Sequence, residues 1–114
     1  MGYIKRVEAV LRALTDDSRR IIVQALAGGP ATAGELAALL PIARPGVSRH
    51  LRVLREAGLV EVRQEAQRRI YALQPEPMAE VGEWLDRCRS LWERRLDALH
   101  TEVARGRRNR RSGT

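Results

Sequence analysis

The chain has 114 residues, the size of one ordinary domain. Hydrophobic residues make up 44% of it and charged residues 31%, a balance that is typical of globular rather than disordered proteins. No apolar run approaches the roughly 18 residues of a membrane helix, the N-terminus lacks the apolar stretch of a signal peptide, and a single cysteine excludes an internal disulfide framework. We therefore expect a cytoplasmic protein that does not span a membrane.

Basic residues are in excess and concentrate in two zones. Lys and Arg together number 21 against 14 Asp and Glu, which gives a net charge of +7, and Lys5 is the single lysine. One zone is residues 44–69, and the other is the last ten residues of the chain. Arginine makes bidentate contacts to phosphate and guanine, so the excess favours a nucleic-acid partner. A GC-rich coding sequence would explain the arginine excess equally well.

The second basic zone sets the predicted domain boundary. Residues 105–114 contain no apolar side chain, so we predict a disordered basic tail there and one domain over residues 1–104. A solvated tail without a defined role is one interpretation. Added salt-sensitive affinity for DNA is the other.

Helical periodicity predicts three helices in the first part of the chain. Apolar residues at helical spacing predict a helix over 4–14, and a second helix fits between residues 15 and 30, with cap candidates at its start and glycines at its end. Thr32 and Glu35 match a capping box, which predicts a third helix over 35–40.

The rest of the chain completes a recognisable order of elements. A fourth helix is predicted over about residues 44–57, after a link short enough for a helix-turn-helix. Two β-type runs, 59–63 and 69–73, predict a hairpin over about residues 59–73, and a last helix follows over about 76–104. The predicted fold class is therefore mainly α with a small β-hairpin, a winged helix-turn-helix that is dimeric through its terminal helices.

The fourth helix has one apolar and one basic side. Val47, Leu51 and Leu54 share a face that must be buried, whereas small polar and basic residues lie opposite, as suits a helix in the major groove of DNA. We expect Arg49 to reach a base edge and Arg52 a phosphate; a solvated surface helix is the alternative. Candidate DNA-binding residues from this pattern are Pro45, Gly46, Ser48, Arg49 and Arg52 on the helix and Gln67 and Arg68 at the hairpin tip, with a weaker contribution from Arg69.

The last helix carries two apolar stripes, more than one contact needs. We expect one stripe to pack on the first helix and the other on a second subunit, which gives the twofold symmetry of a palindromic operator. A monomer with its last helix folded back is the alternative. Candidate dimerisation residues are Ile4, Val7, Leu11, Val81, Trp84, Leu85, Cys88, Leu91, Trp92, Leu96 and Leu99.

Several segments together resemble the bacterial ArsR/SmtB transcriptional repressors over about residues 7–103. The most specific is Arg44-Pro-Gly-Val-Ser-Arg-His-Leu-Arg-Val-Leu54, and Arg68-Arg-Ile-Tyr-Ala-Leu73 is similar to the wing of the non-metal branch. The resemblance implies a homodimer that binds double-stranded operator DNA, represses its own operon and releases DNA on a small-molecule or protein signal. It places Arg44, Ser48, Arg49 and His50 on the DNA-reading segment and Arg68 and Arg69 on the wing.

The sequence departs from that family in ways that bear on sensing. Ala43 and Gly46 stand where members often have Ser and Ala, which weakens the helix start. The third helix lacks the Cys-x-Cys cluster of metal sensors, and on the last helix only Asp97 and His100 could bind zinc. We expect His50 to be a hydrogen-bonded boundary residue, and we expect no metal and no cofactor.

Two alternatives to this function remain. One is a redox- or metal-responsive regulator that works through Cys88 or His100. The other is a winged-helix protein-interaction module without DNA binding, against which the arginines of the fourth helix and hairpin argue. No nucleophile–base pair or phosphate-cradling glycine motif is present in the sequence, so we do not expect an enzyme.

Overall fold

The structure is a computed structural model that describes the backbone of residues 2–112 and the side chains of residues 2–107. The predicted order of elements is confirmed, with one short strand added. The elements are α1 (Tyr3–Ala13), α2 (Asp17–Ala27), β1 (Ala31–Thr32), α3 (Ala33–Ala37), α4 (Arg44–Glu56), β2 (Val60–Glu65), β3 (Arg68–Leu73) and α5 (Pro75–Ser112). Among the described residues, no helix is both long enough and apolar enough to cross a membrane.

The three strands form one small antiparallel sheet in the order β1-β3-β2. Tyr71, in the middle of β3, pairs with Ala31 of β1 on one side and Val62 of β2 on the other. Sequence analysis did not predict β1, because two residues are too short to show the alternation of a strand. β1 brings the start of α3 next to the hairpin, which is how the two halves of the candidate site come together.

The core lies between the first four helices and the sheet. Val47, Leu51 and Leu54 of α4 are buried, as the apolar stripe predicted, and α4 packs against α2 and α3, where Ile22 and Leu36 are buried as well. A buried leucine or isoleucine of this kind contributes roughly 1.5–3 kcal/mol to the free energy of folding. The apolar stripe therefore fixes which side of α4 faces solvent.

Three predicted boundaries were wrong. α3 ends at Ala37 rather than residue 40, because the amides of Leu39 and Leu40 bond to carbonyls three residues back and tighten the chain into turns. The hairpin link is two residues long, since pairing continues to Glu65 and Arg68. Helical backbone in α5 continues past residue 104 to Ser112, since arginine is a good helix former. The last two residues of the predicted tail, 113 and 114, lie outside the described residues.

The chain divides into two compact units, Met1–Val81 and Gly82–Thr114. The first contains α1 to β3 and the start of α5, where the Tyr3 hydroxyl donates to the Glu80 carbonyl oxygen at 2.8 Å. Val7 and Val81 are 2% and 5% exposed, so they belong to the core of this unit. Their assignment to the dimer surface was wrong, because a side chain already buried within its own chain has no surface to offer a partner. The described part of the second unit is α5 helix.

Candidate nucleic-acid interface

The outward side of α4 is the first part of the candidate interface. α4 packs on α2 and α3 through its apolar stripe, and a helix turns by about 100° per residue, so the residues opposite that stripe face solvent. Gly46 is half-buried at the edge of this side. The exposed predicted residues of α4 are Arg44, Pro45, Ser48, Arg49 and Arg52.

An apolar contact holds the start of α4. Ala43 at the N-cap position provides no side-chain hydrogen bond, as expected for alanine. The Ile42 side chain lies across the first turn instead: a Cβ at Gly46 would be 3.3 Å from Ile42 Cδ1. Pro45 lies in the first turn, where its missing N–H leaves no bond unmade. The weak cap was predictable from Ala43, whereas the Ile42 contact was missed; its signal is an apolar residue just before a glycine-containing first turn.

A cleft between α3, the start of α4 and the hairpin collects positive charge. We call it the α3–wing cleft; its volume is about 540 Å³. Its lining residues are Thr32, Ala33, Gly34, Glu35, Arg44, Gln67, Arg68 and Arg69. The Glu35 carboxylate is held in the predicted capping box, where it accepts from the Thr32 backbone N–H at 3.2 Å and the Thr32 hydroxyl at 3.0 Å. Three guanidinium groups therefore surround a cleft whose one carboxylate is already hydrogen-bonded.

A second cleft, the α4–wing cleft, lies between the outer side of α4 and β3. Its volume is about 350 Å³. Its lining residues are Pro45, Ser48, Arg49, Leu51, Arg52, Arg55, Arg69 and Tyr71. Arg55 follows Arg52 at a spacing of three, so the two lie on the same side of the helix. Arg55 was not among the predicted site residues, although its spacing from Arg52 was a usable signal.

Arg69 lines both clefts, whereas Arg68 and Gln67 line only the α3–wing cleft. A weaker contribution to DNA binding was expected from Arg69 than from Arg68, and this placement favours the reverse. That expectation came from the alternation of side chains along a strand, which separates Arg68 from Arg69 but does not say which of them faces α4. Because α4 lies beside β3, Arg69 rather than Arg68 lines the cleft with α4.

His50 contacts α2 rather than sharing the exposed side of α4. Its side chain is 17% exposed, and its Nδ1 atom is 3.3 Å from Arg19 Nη1 and 3.8 Å from Asp16 Oδ1. The interpretation of His50 as a hydrogen-bonded boundary residue is confirmed. Asp16 caps α2 by accepting the backbone N–H of Arg19 at 3.1 Å. That hydrogen bond, helped by the nearby charges of His50 and Arg19 and opposed by partial burial, holds the pKa of Asp16 below its ordinary value.

The distal part of α5 presents an uncovered apolar face in the second unit. Leu91 and Trp92 are 59% and 62% exposed, Trp84 is half-buried, and the Cys88 thiol is exposed. The other exposed apolar residues of α5 are Leu85, Leu96, Leu99 and Val103, and in α1 they are Ile4 and Leu11. Asp97 and His100 are exposed, and the described residues hold no group of three or more His, Cys, Asp or Glu side chains that could bind a metal ion.

A short helix, a tight link, a basic-faced helix and a β-hairpin with arginines beside it define a winged helix-turn-helix of the DNA-binding class. Comparison with known proteins agrees. A helix-turn-helix domain model matches residues 14–63. An HTH-type transcriptional regulator of Mycobacterium tuberculosis is 48% identical over 96 residues, which span 84% of this chain and 87% of that protein. A biofilm growth-associated repressor of Agrobacterium fabrum is 39% identical over 79 residues, which span 69% of this chain and 68% of that protein.

The structural comparison gives the same answer. A crystal structure of an ArsR-family transcriptional regulator aligns with a TM-score of 0.74 at 32% identity, over 81% of this chain and 95% of that chain. An ArsR-like transcriptional regulator from a Rhodococcus species aligns with a TM-score of 0.75 at 29% identity, over 87% of this chain and 93% of that chain. The chain belongs to the ArsR family of winged helix-turn-helix transcriptional regulators. It is a DNA-binding regulator and not an enzyme.

Proposed function

We propose that the chain is a repressor that binds a palindromic operator in its own promoter as a homodimer. In each subunit α4 lies in the major groove, and the hairpin of β2 and β3 follows the minor groove or the backbone beside it. The observation that carries the proposal is the pair of arginine-lined clefts that share Arg69. Together they make one basic surface that joins α3, α4 and the wing. The relative from Agrobacterium fabrum is named a repressor, which supports the direction of regulation.

The arrangement of arginines suits two kinds of DNA contact. Ser48 and Arg49 lie in the first half of α4, where recognition helices reach base edges, and an arginine there can bond the O6 and N7 atoms of guanine. Arg44 and Arg68, in the α3–wing cleft, lie at the ends of two different elements and suit a phosphate between them. Affinity then comes mainly from the phosphate contacts and specificity from α4.

The homodimer is proposed from the uncovered apolar residues of the distal part of α5. A monomeric protein rarely leaves a long row of large apolar side chains in water, because each one buried in a contact contributes roughly 1.5–3 kcal/mol. A second copy of the same face covers such a row with twofold symmetry, which matches two half-sites of a palindrome.

A salt titration of DNA binding tests the proposed contacts. We expect the protein to prefer the fragment upstream of its own gene over a scrambled fragment. Arg49→Ala should lower affinity for that fragment by about 1–3 kcal/mol and relax specificity at one position. Arg52→Ala should weaken binding to every sequence and reduce the salt slope by about one. Arg20→Ala, which removes a charge from α2 outside both clefts, is the control.

Two results would contradict the proposal. Equal losses of specific and nonspecific binding in both Arg49→Ala and Arg52→Ala would refute the separate roles of base reading and phosphate binding. Absence of any preference for the upstream fragment would refute autoregulation.

Oxidation of Cys88 is a candidate for the signal that releases DNA. Its thiol is exposed on the apolar face of α5, and it is the chain's single cysteine. A thiol-responsive regulator is therefore the second candidate, in which the Cys88 thiols of two subunits lose two electrons and two protons to an added oxidant and form an intersubunit disulfide. Under diamide, the wild type should then release DNA and run as a covalent dimer in non-reducing gels, and Cys88→Ser should do neither. If both proteins release DNA alike, the signal is not Cys88.

A further inference from the structure

Arg19 connects three elements at one point of the first unit. It lies in the first turn of α2, and its backbone N–H donates to the capping carboxylate of Asp16. Its side-chain Nε donates to the carbonyl oxygen of Ala13, the last residue of α1, at 2.6 Å. Its Nη1 reaches His50 on α4 at 3.3 Å. One half-buried side chain therefore ties the end of α1 and the start of α2 to the recognition helix.

A guanidinium group only donates, so a hydrogen bond between the side chains of Arg19 and His50 requires a neutral His50 ring with Nδ1 as the acceptor. A neutral imidazole that accepts at Nδ1 carries its proton on Nε2. In the neutral ring, Arg19 therefore favours this tautomer and restrains the orientation of the ring, and the carboxylate of Asp16 lies 3.8 Å from the same nitrogen.

A directional bond adds to the apolar packing of α4. Val47, Leu51 and Leu54 fix which side of the helix is buried, and the contact between Arg19 and His50 adds a polar restraint on its flank. The start of α4 has no side-chain cap that could set its rotation. His50 directly follows Arg49, so a rotation that moves the His50 ring moves the Arg49 side chain with it.

We propose that Arg19 and His50 are positioning residues that set the rotation of α4 and, through it, sequence discrimination by Arg49. Neither side chain lines the two clefts of the candidate interface, so in this proposal neither contacts DNA. The inference rests on the proposed DNA-binding function. It assigns to this pair a role in specificity rather than in the sequence-independent part of affinity.

Two substitutions at His50 distinguish a hydrogen-bond acceptor at the position of Nδ1 from a polar side chain that lacks an acceptor there. The side-chain oxygen of Asn can occupy the position of Nδ1, whereas the amide of Gln extends to the position of Nε2. The measured quantity is the ratio of affinities for the upstream fragment and a scrambled fragment. His50→Asn should keep this ratio within about twofold, and His50→Gln should lower it about tenfold, the effect of losing one hydrogen bond to a charged group. Affinity for the scrambled fragment and the salt slope should not change.

The role of Arg19 is tested by substitution, with the same substitution at Arg20 as the control. Arg19→Gln should lower the ratio as His50→Gln does, and combining the two should cost no more than either alone, because both remove the same bond. Arg20→Gln is the control, since Arg20 also bonds a carbonyl, that of Leu14, and pairs with Asp17 without reaching α4. Thermal unfolding of each variant shows that binding is measured on folded protein. If Arg19→Gln does not fold, the two His50 variants still decide.

The outcomes are distinct. Wild-type discrimination in His50→Gln would overturn the proposal. A salt slope lowered by about one in Arg19→Gln or His50→Gln would also overturn it, because the residue would then contact a phosphate. If the wild type itself has no preference for the upstream fragment, the proposed function fails as well. If the wild type discriminates and His50→Gln discriminates equally, only the positioning role fails.

Discussion

Asp16 shows how one side chain makes the stability of this protein depend on pH. Its pKa in the folded chain lies below its ordinary value, first because the Arg19 backbone N–H bonds the carboxylate. A carboxyl group with a lowered folded pKa stabilises the folded state above its unfolded pKa of about 4, and that contribution is lost as the pH falls through the folded value. The side chain is 37% exposed, so solvent screening keeps the contribution small.

Two substitutions separate the cap of α2 from the charge of Asp16. Asp16→Asn keeps an N-cap acceptor and should remove part of the stability loss below about pH 4. Asp16→Ala removes the acceptor as well and should cost about 0.5–2 kcal/mol at neutral pH. Urea unfolding of both variants and the wild type at pH 7 and pH 3 measures both effects. An acid dependence in Asp16→Asn identical to that of the wild type would show that other groups carry it.

Ala66 holds a backbone conformation that alanine adopts at a cost. Its φ is +54°, in the left-handed region, at the turn between β2 and β3. Ala66→Gly should therefore stabilise the chain by about 1 kcal/mol, since glycine adopts that conformation without a Cβ clash. Ala57→Gly is the matched control, because Ala57 has φ −78° at the end of α4 and the same substitution there should lose stability. Denaturation midpoints measure both, and a loss of stability in Ala66→Gly would show that the turn changes shape instead.

At the scale of elements, the helices and the hairpin could be predicted because their signals are local. The apolar stripe of α4, the capping box at Thr32 and the left-handed Gly58 that ends α4 (φ +80°) are each determined by a few neighbouring residues. β1 could not be predicted, because it exists only through pairing with β3, some 40 residues away. The placement of Arg69 beside both clefts could not be predicted for the same reason, since its surroundings depend on how α4 packs beside the sheet.

The wing gives a prediction that reverses the one made from sequence. Arg69 borders both clefts and Arg68 borders one, so Arg69→Ala should weaken DNA binding more than Arg68→Ala. If each guanidinium group makes one phosphate contact, each variant should lower the salt slope by about one. An additional loss of sequence specificity in Arg69→Ala would indicate that Arg69 also contacts DNA beside α4. Binding titrations at several salt concentrations compare the two. Arg63→Ala is the control, since Arg63 lies on β2, pairs with Glu65 and lines neither cleft. A larger loss of DNA affinity in Arg68→Ala than in Arg69→Ala would support the prediction from sequence that Arg68 contributes more.

At the scale of the whole molecule, the two units differ in how far their apolar side chains are buried. The first has its own buried core, whereas the described part of the second is helix with exposed apolar residues. The apolar pattern of α5 could be read from the sequence, but its spacing does not tell which residues serve the chain's own core. Val81 proved to be core, whereas Trp92, eleven positions farther along α5, is largely exposed. The proposed dimer therefore depends on the distal part of α5.

A single charge in that part of α5 tests the dimer. Trp92→Glu should separate the subunits, because an unpaired carboxylate buried in an apolar contact costs several kcal/mol and an indole loses about 150–250 Å² of burial. A monomer engages one half-site, so operator affinity should fall by about a hundredfold or more. The core of the first unit contains none of the changed atoms, so its cooperative unfolding should persist. Ser90→Glu adds the same charge to the opposite side of α5 and should leave a dimer that binds the operator. Sedimentation equilibrium measures the masses of both variants. A dimeric Trp92→Glu with full operator affinity would place the subunit contact elsewhere, because a dimer that buried this carboxylate would lose stability.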